Sequence, residues 1–105
     1  MPEPEVEMDL FLQAHAGGAR VVDVREPHEY HAGHVPGASL IPLGVVPLKL
    51  HELPRDRPVY VICASGHRSL TATRHMIRAG IDARSVRGGT IAWARSGGPL
   101  ERGPA

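Results

Sequence analysis

One residue able to do nucleophilic chemistry, Cys63, stands where a predicted strand ends and a predicted helix begins. The four residues before it, 59–62, form a short apolar run with β-branched members, which is typical of a strand buried on both faces. A helical pattern starts at Ser69, after a short loop. Unpaired N–H groups and the helix dipole stabilise an anion at such a junction, so the position suits a reactive thiolate.

The loop after the cysteine is made of residues that can surround an anion. Small residues let the backbone curl tightly and direct consecutive N–H groups inward. Arg68 adds a permanent charge, and Ser69 is expected to cap the helix and to donate a hydrogen bond. The bound anion could be the thiolate, a persulfide or an oxyanion attached to the sulfur. The candidate site is therefore the nucleophile Cys63 with Ala64, Ser65, Gly66, His67, Arg68 and Ser69 around it.

Two other candidate roles of Cys63 are a buried apolar side chain and one half of a dithiol pair. A free cysteine is often only a small buried apolar side chain, but a glycine turn and an arginine within five residues favour a reactive thiol. The chain has one cysteine, so no internal disulfide can form. Dithiol chemistry is therefore disfavoured, and any sulfur taken up must stay as a persulfide or pass to an external acceptor.

Composition limits the class of protein. The 105 residues are expected to form one domain, residues 1–105, and a chain of this size buries roughly two-thirds of its unfolded surface. A net charge of +1 argues against nucleic-acid or acidic-membrane partners, and one cysteine excludes a Cys-rich metal site. The N-terminus lacks signal-peptide features, and no run approaches the roughly 20 apolar residues of a membrane span. We therefore expect a cytoplasmic protein without metal or cofactor.

Short strand patterns alternate with helix patterns along the chain. This alternation predicts an α/β fold of three layers, with a parallel sheet between helices. Residues 96–105 are rich in Gly and Pro and are expected to be irregular and frayed, with 100–105 as an irregular tail. Strands are predicted at residues 20–24, 38–41, 59–62 and 83–86, and helices beginning within 2–7 and at 27–31, 45–53, 69–79 and 90–95.

Glycine positions predict where two of the helices end, and the spacing of the apolar residues predicts which face of one of them is buried. Gly17 is expected to stop the first helix in a left-handed conformation, and Gly80 to cap the helix after the cysteine loop. The 3.6-residue spacing assigns one buried face of that helix to Leu70, Thr73, Met76 and Ile77.

Five motifs in this order resemble those of the single-domain rhodanese family, the thiosulfate sulfurtransferases. The resemblance covers residues 19–99. It implies a rhodanese-like fold with a central, mainly parallel sheet of about five strands. The motifs are V-V-D-V-R-E-P-H-E-Y (21–30), G-H-V-P-G-A (33–38), I-P (41–42), C-A-S-G-H-R-S (63–69) and G-G-T-I-A-W (88–93).

The resemblance also implies an activity. Cys63 would take sulfane sulfur from a small-molecule donor, become a persulfide, and hand the sulfur to cyanide, a small thiol or a protein thiol. The backbone amides of residues 64–69 would hold the charged sulfur. The family's six-residue loop is matched by residues 63–68, whereas dual-specificity phosphatases and arsenate reductases have a loop one residue longer. Mercaptopyruvate sulfurtransferases have glycine after the cysteine and end the loop in valine–threonine, so thiosulfate or a persulfide is the expected donor.

An alternative from another class is a sulfur-relay or redox-sensing binding module with little turnover of its own. Retention of Cys63, Gly66 and Arg68 argues against an inert version of such a module but not against a relay. Whether His67 and Arg68 tune the choice of donor stays open, because either could be a solvated side chain at a helix start.

Other polar residues are expected to have structural roles. Asp23 and Arg25 should form an ion pair or turn bond. His28, His31 and His34 recur every third residue but need not share a face, so we expect no metal site, and the resemblance places His34 in a hydrogen bond to a strand end. Glu29 and Tyr30 are expected to pack and to cap, and Trp93 to lie in the core or at the pocket rim.

Overall fold

In a computed structural model, which describes residues 4–104, five parallel strands form one sheet. The strand order is β1-β5-β4-β2-β3, with β4 in the middle. The predicted parallel sheet and the five strands implied by the resemblance are thus confirmed. The strands are β1 Glu5–Val6, β2 Arg20–Asp23, β3 Ser39–Leu40, β4 Val59–Ile62 and β5 Ala83–Val86.

Five α-helices connect and cover the strands. The predicted helix at 45–53 is a single α-helical turn, α3, between the 3-10 turns Leu43–Val45 and Leu50–Glu52. The helices are α1 Met8–Ala16, α2 Pro27–Ala32, α3 Val46–Lys49, α4 His67–Arg78 and α5 Gly89–Arg95. Within residues 4–104, none of them has the length and apolar character needed to cross a membrane.

The sheet separates two apolar cores, which confirms the three-layer prediction. Successive residues of a strand point to opposite faces. Val59 and Val61 of β4 therefore pack with α3 and α4, and Cys63 lies in the same core. Tyr60 and Ile62 pack on the other face, with α1, α2 and α5. The cysteine loop is thus anchored by a strand buried on both faces, as its sequence indicates.

The N-terminal segment differs from the prediction of a helix start within residues 2–7. Glu5 and Val6 form an edge strand that pairs with Ser85 and Val86 of β5, and the helix begins at Met8. Residues 2–3 of the predicted start lie outside the described part of the chain. Long-range pairing with β5 overrides the local helix signal of the acidic residues.

The predicted stop of α1 is also shifted by one residue. Gly17 has a φ of −85°, whereas Gly18 has a φ of +85° and takes the left-handed conformation. The predicted cap of α4 is confirmed, because Gly80 has a φ of +87° and its N–H bonds the carbonyl of Ile77.

Helix α4 begins at His67, two residues before the predicted start, and its buried face is rotated from the prediction. Ile77 is 44% exposed, so its assignment to the buried face was wrong. Leu70 is half-buried, and Thr73 and Met76 are buried as predicted. The buried residues of α4 are Ser69, Ala72, Thr73 and Met76.

Residues 96–104 are irregular, as expected, but they are held against the rest of the chain and not frayed, and Ala105 lies outside the described residues. Glu101 pairs with His34 in an antiparallel bridge. The Trp93 indole N–H donates to the Pro99 carbonyl oxygen at 2.7 Å. Trp93 is 3% exposed and packs edge-on against Phe11, which confirms its predicted place in the core.

Candidate functional site

Cys63 directly follows the central strand β4, at the edge of the sheet where all the parallel strands end. In open α/β sheets this is the edge where ligands bind. The chain turns from the strand into α4 at Gly66, whose φ of +110° is strained for any residue with a side chain. The turn brings the start of α4 back over the sulfur.

Hydrogen-bond donors converge on the Cys63 sulfur. The Gly66 N–H donates to Sγ at 3.1 Å, and Sγ lies 3.4 Å from the Ser69 hydroxyl oxygen. Burial raises the pKa of the Cys63 thiol, but the Ser69 hydroxyl and the N–H groups of Ser69, Gly66 and Ser65 outweigh it, so the pKa is lowered. The site therefore favours the thiolate, the nucleophilic form of cysteine.

Ser69 occupies a different position in its helix from the one predicted. Gly66 is the N-cap residue of α4, and Ser69 lies in the first turn with its side chain buried. Its hydroxyl therefore does not cap the helix. It contacts the Cys63 sulfur on one side and the Ser85 hydroxyl of β5 on the other, at 2.8 Å.

Ser85 was not anticipated from the sequence. It is fully buried in β5, where it follows Arg84 and precedes Val86. The available signal is a small hydroxyl residue at an inward position of a buried strand, which needs a hydrogen-bond partner. That partner, Ser69, is sixteen residues away in sequence and becomes apparent only in the folded chain.

The start of α5 forms the second wall of the loop. The N–H and hydroxyl of Thr90 both donate to the Cys63 carbonyl oxygen, at 2.8 and 3.0 Å, and the Ile91 N–H donates to the Ala64 carbonyl at 3.1 Å. A Cβ on Gly89 would lie 2.5 Å from the Cys63 carbonyl oxygen and 2.6 Å from that of Ala64. Because Gly89 of the G-G-T motif has no Cβ, the start of α5 can approach the backbone of Cys63 and Ala64. The hydrogen bonds from Thr90 and Ile91 then fix the base of the cysteine loop.

Arg68 is bound to a carboxylate. Its Nη1 and Nη2 donate to Oε1 and Oε2 of Glu29 at 2.7 and 2.9 Å, a bidentate pair. The hydrogen bond from Arg68, against an opposing effect of burial, lowers the pKa of Glu29 to about 2. Glu29 Oε1 also accepts the Glu26 N–H at 3.1 Å in a capping box, which confirms its expected capping role.

The remaining loop residues differ in exposure. Ala64 is half-buried, whereas Ser65 and His67 are exposed, with His67 at the first position of α4. The structure therefore brings the Gly66 N–H and the Ser69 hydroxyl onto the sulfur, and the N–H groups of Ser65 and Ser69 also help to lower its pKa. Arg68 lies on Glu29 instead.

A cleft of about 240 Å³ opens beside Ala64. Among residues 4–104, the charged side chains that line this cleft are those of Arg25 and Glu29. Arg25 is buried and bonded to Asp23 at 2.8 Å and to the Gly33 carbonyl at 2.8 Å, which confirms the predicted ion pair. The remaining lining residues are Ala32, Gly33, Ala64, Thr90, Ile91, Ala94 and Leu100.

The histidines of the every-third-residue pattern, His28, His31 and His34, lie in different environments. His34 is buried, stacks on the Tyr30 ring and donates from Nδ1 to the Tyr30 carbonyl at 2.7 Å. This bond goes to helix α2 and not, as expected, to a strand end. His28 and His31 are exposed. Across residues 4–104 no group of three or more His, Cys, Asp or Glu side chains is placed to hold a metal ion.

The chain is similar to known proteins of one family. The family model described as "Rhodanese-like domain" matches residues 9–96. A protein of Allochromatium vinosum named "Sulfurtransferase" is 40% identical over 81 residues, 76% of each chain. A Bacillus subtilis protein named "Putative sulfur carrier protein YrkF" is 39% identical over 79 residues, which cover 73% of this chain and 43% of that protein.

The fold has a solved counterpart. The crystal structure of a rhodanese-related protein from Thermoplasma volcanium is 30% identical and superposes with a TM-score of 0.86. The superposition covers 92% of this chain and 96% of the other.

Proposed function

The chain belongs to the rhodanese-like domain family, and from this membership and the geometry around the sulfur we propose that it transfers sulfane sulfur through a persulfide on Cys63. The Cys63 thiolate attacks the outer sulfur of the donor. The donor's S–S bond breaks as the new one forms. With thiosulfate, the products are the Cys63 persulfide anion and sulfite, so charge and electrons balance without an oxidant.

The observation that carries this proposal is the convergence of N–H donors on one buried sulfur. The Gly66 N–H donates to Sγ at 3.1 Å, and the nearby N–H groups of Ser65 and Ser69 help to lower the pKa of the thiol. Such donors stabilise a thiolate, and a persulfide anion extending from the same sulfur would remain near them. The lowered pKa of Cys63 adds to its nucleophilic fraction at neutral pH.

In the second half-reaction the persulfide is handed to an acceptor. A thiophilic acceptor, which is cyanide, a small thiol or a protein thiol, attacks the outer sulfur of the persulfide. Cys63 leaves as a thiolate held by the same donors, which makes it a good leaving group. The cycle needs no cofactor. We place the reaction in the cytoplasm, because a single thiol that must stay reduced suits a reducing compartment.

The assignment of the nucleophile is tested by intact-mass measurement after incubation with a sulfur donor. The wild-type chain should gain one sulfur, about 32 Da, and form thiocyanate when cyanide is added. Cys63→Ser should do neither. Thr71→Ala, on the exposed face of α4, serves as the matched control and should load normally. Full loading of Cys63→Ser would refute the assignment.

A second candidate, a sulfur relay with little turnover, is favoured by the relative named as a sulfur carrier. A relay would load on Cys63 but hand its sulfur to a protein thiol only. Loading by mass, combined with a slow cyanide or small-thiol reaction and fast transfer to a protein thiol, would select this candidate over the free-standing enzyme.

A further inference from the structure

Exposed apolar side chains gather beside the cysteine loop. Ile91 is 47% exposed and Leu100 is 43% exposed, and both line the cleft beside Ala64. Among residues 4–104, the other large exposed apolar side chains lie apart from this cleft, on α1, on α3 and the turn before it, and on α4. Apolar side chains that are exposed together, with polar residues around them, are typical of a surface that docks a partner.

A second depression, of about 560 Å³, adjoins the first, since Ile91 lines both. The first reaches the cysteine loop at Ala64 and the second reaches it at Ser65. Cys63 is 1% exposed and, within residues 4–104, is not among the residues that line either depression. A small thiol seated in a depression would therefore lie away from the sulfur. A polypeptide segment can place a thiol at the loop and other side chains in the depressions.

The charge without a partner on this surface is positive. Within residues 4–104, the charged side chains that line the two depressions are those of Arg25, Glu29 and Arg95. Arg25 is paired with Asp23, and Glu29 with Arg68. Arg95 is exposed at the end of α5, and its guanidinium makes no hydrogen bond or ion pair within the part of the chain that the structure describes. A carboxylate of a partner would complement this charge.

A second copy of this chain complements the surface poorly. In a two-fold dimer both copies present the same surface to each other. Each Arg95 would then face charges that are already paired and the unpaired Arg95 of the other copy. The surface therefore fits a partner that brings its own acidic residue.

We propose, on the basis of the sulfur-transfer function above, that this surface docks a protein acceptor whose reactive cysteine is flanked by an aliphatic side chain and an acidic residue. The aliphatic side chain enters the cleft beside Ala64, and the carboxylate pairs with Arg95. The acceptor thiolate attacks the outer sulfur of the protonated persulfide, Cys63–S–SH. The S–S bond breaks, Cys63 departs as a thiolate with the electron pair, and the proton stays on the transferred sulfur, so atoms and charge balance.

The first test measures how fast cysteine peptides unload the full chain after it has been loaded with sulfur. In the matching peptides leucine and aspartate stand one to three residues from the cysteine, and in their counterparts glycine replaces the leucine or lysine replaces the aspartate. The fastest matching peptide should unload Cys63 about tenfold faster than either of its counterparts. Equal rates, or a faster lysine peptide, would overturn the inference.

The second test changes the surface. Ala94→Gln places a longer side chain at the wall of the cleft from an exposed position of α5, and Arg95→Glu reverses the unpaired charge. Each should slow the fastest matching peptide about fivefold and leave unloading by cyanide within about twofold of wild type. Arg95→Glu should also make the lysine peptide faster than its aspartate counterpart. Unchanged peptide rates in either variant would overturn the inference.

The matched control for the charge reversal is Arg57→Glu, at an exposed arginine of the loop before β4. That loop lies at the opposite edge of the sheet from the cysteine loop, so this variant should change neither the peptide rates nor the preference between lysine and aspartate. An equal loss in Arg57→Glu would mean that net charge and not docking sets the rates, and would overturn the inference.

Failure of the docking inference differs from failure of the proposed function. If Cys63 gains no sulfur by mass from thiosulfate or from a small-thiol persulfide, the sulfur-transfer function is wrong, and the docking inference falls with it. If Cys63 loads and is unloaded by cyanide but the peptides do not differ, the docking inference alone is wrong. It is also wrong if ultracentrifugation shows a wild-type dimer that Ala94→Gln dissociates, because a second copy would then cover the surface.

Discussion

The hydroxyl oxygens of Ser69 and Ser85 lie 2.8 Å apart, and Ser69 Oγ is also 3.4 Å from the Cys63 sulfur. All three residues are buried. A hydroxyl has one proton to donate and can accept in return. If Ser69 donates to a thiolate, it can accept from Ser85, so the serine of β5 orients the hydroxyl that holds the sulfur. Ser85 is thus a positioning residue, which acts through Ser69.

Removing either hydroxyl should make Cys63 less reactive. Ser69→Ala is expected to slow alkylation of the thiol near neutral pH about tenfold, because a hydrogen bond to a charged group contributes about 1.5–3 kcal/mol. Ser85→Ala should slow it by about two- to threefold, since Ser69 keeps its hydroxyl but loses its orientation. In both variants the alkylation-against-pH curve should move to higher pH, and stopped-flow alkylation measures it.

The control for these serine variants is Thr71→Ala, on the exposed face of the same helix. It should leave the alkylation curve in place. If Ser85→Ala lowers stability without moving the curve, the serine has a packing role only. The wild-type curve itself should have its midpoint below the ordinary value of a cysteine thiol, because the pKa of Cys63 is lowered.

Gly89→Ala should displace the cysteine loop. The new Cβ would lie 2.5 Å from the Cys63 carbonyl oxygen, and the φ of +58° adds strain. We expect a loss of about 3 kcal/mol or more in the free energy of unfolding, from left-handed strain and overpacking together. Gly18→Ala is the matched control, because Gly18 has a φ of +85° but open space around it, and it should cost about 1–2 kcal/mol. Urea unfolding of both variants measures the difference, and equal costs would contradict the close approach.

The ion pairs Asp23–Arg25 and Asp82–Arg84 each join an aspartate to the arginine two residues later, but they should differ sharply in their contribution to the free energy of unfolding. Asp23→Asn leaves the buried Arg25 with less than its full charge compensation and is expected to cost about 3–5 kcal/mol. Asp82→Asn breaks the exposed pair with Arg84 and should cost less than about 1 kcal/mol. Thermal unfolding of the two variants tests the contrast, and similar losses would show that burial of the Asp23–Arg25 pair contributes little.

Acid should remove the contribution of the Glu29–Arg68 pair. The pKa of Glu29 is about 2 in the folded chain against 4.5 ordinarily, so the stabilisation is complete above pH 4.5 and is lost as the pH falls toward 2. Arg68→Gln should therefore be less stable than wild type by about 1 kcal/mol at neutral pH, with the gap closing in that window. Urea unfolding at a series of pH values measures it.

The control for the acid series is Arg57→Gln, at an exposed arginine of the loop before β4. Its stability difference from wild type should stay constant across the same range of pH. A gap for Arg68→Gln that persists at pH 2 would mean that the arginine stabilises the fold through packing and not through Glu29.

Local features were read from the sequence with few errors. The apolar run of β4, the turn at Gly66 and the cap at Gly80 each depend on residues within a few positions of one another, and the structure confirms them. Smaller errors are local, at the stop of α1, at the start of α4 and at the exposed Ile77, whereas the larger errors lie where distant segments meet. Glu5 is a strand residue because it pairs with Ser85, and the tail is held because Glu101 pairs with His34.

By itself the sequence determined which chemistry is available: one thiol, at the junction of a buried strand and a helix, in a loop of small residues that directs N–H groups inward. The tertiary structure decided what surrounds that thiol. Ser85 completes the hydrogen bonds of Ser69 across 16 residues, and Glu29 takes Arg68 across 39. Periodicity and turn propensity act over a few residues, whereas these partners are set by how β5 and α2 pack against α4, which no local pattern encodes.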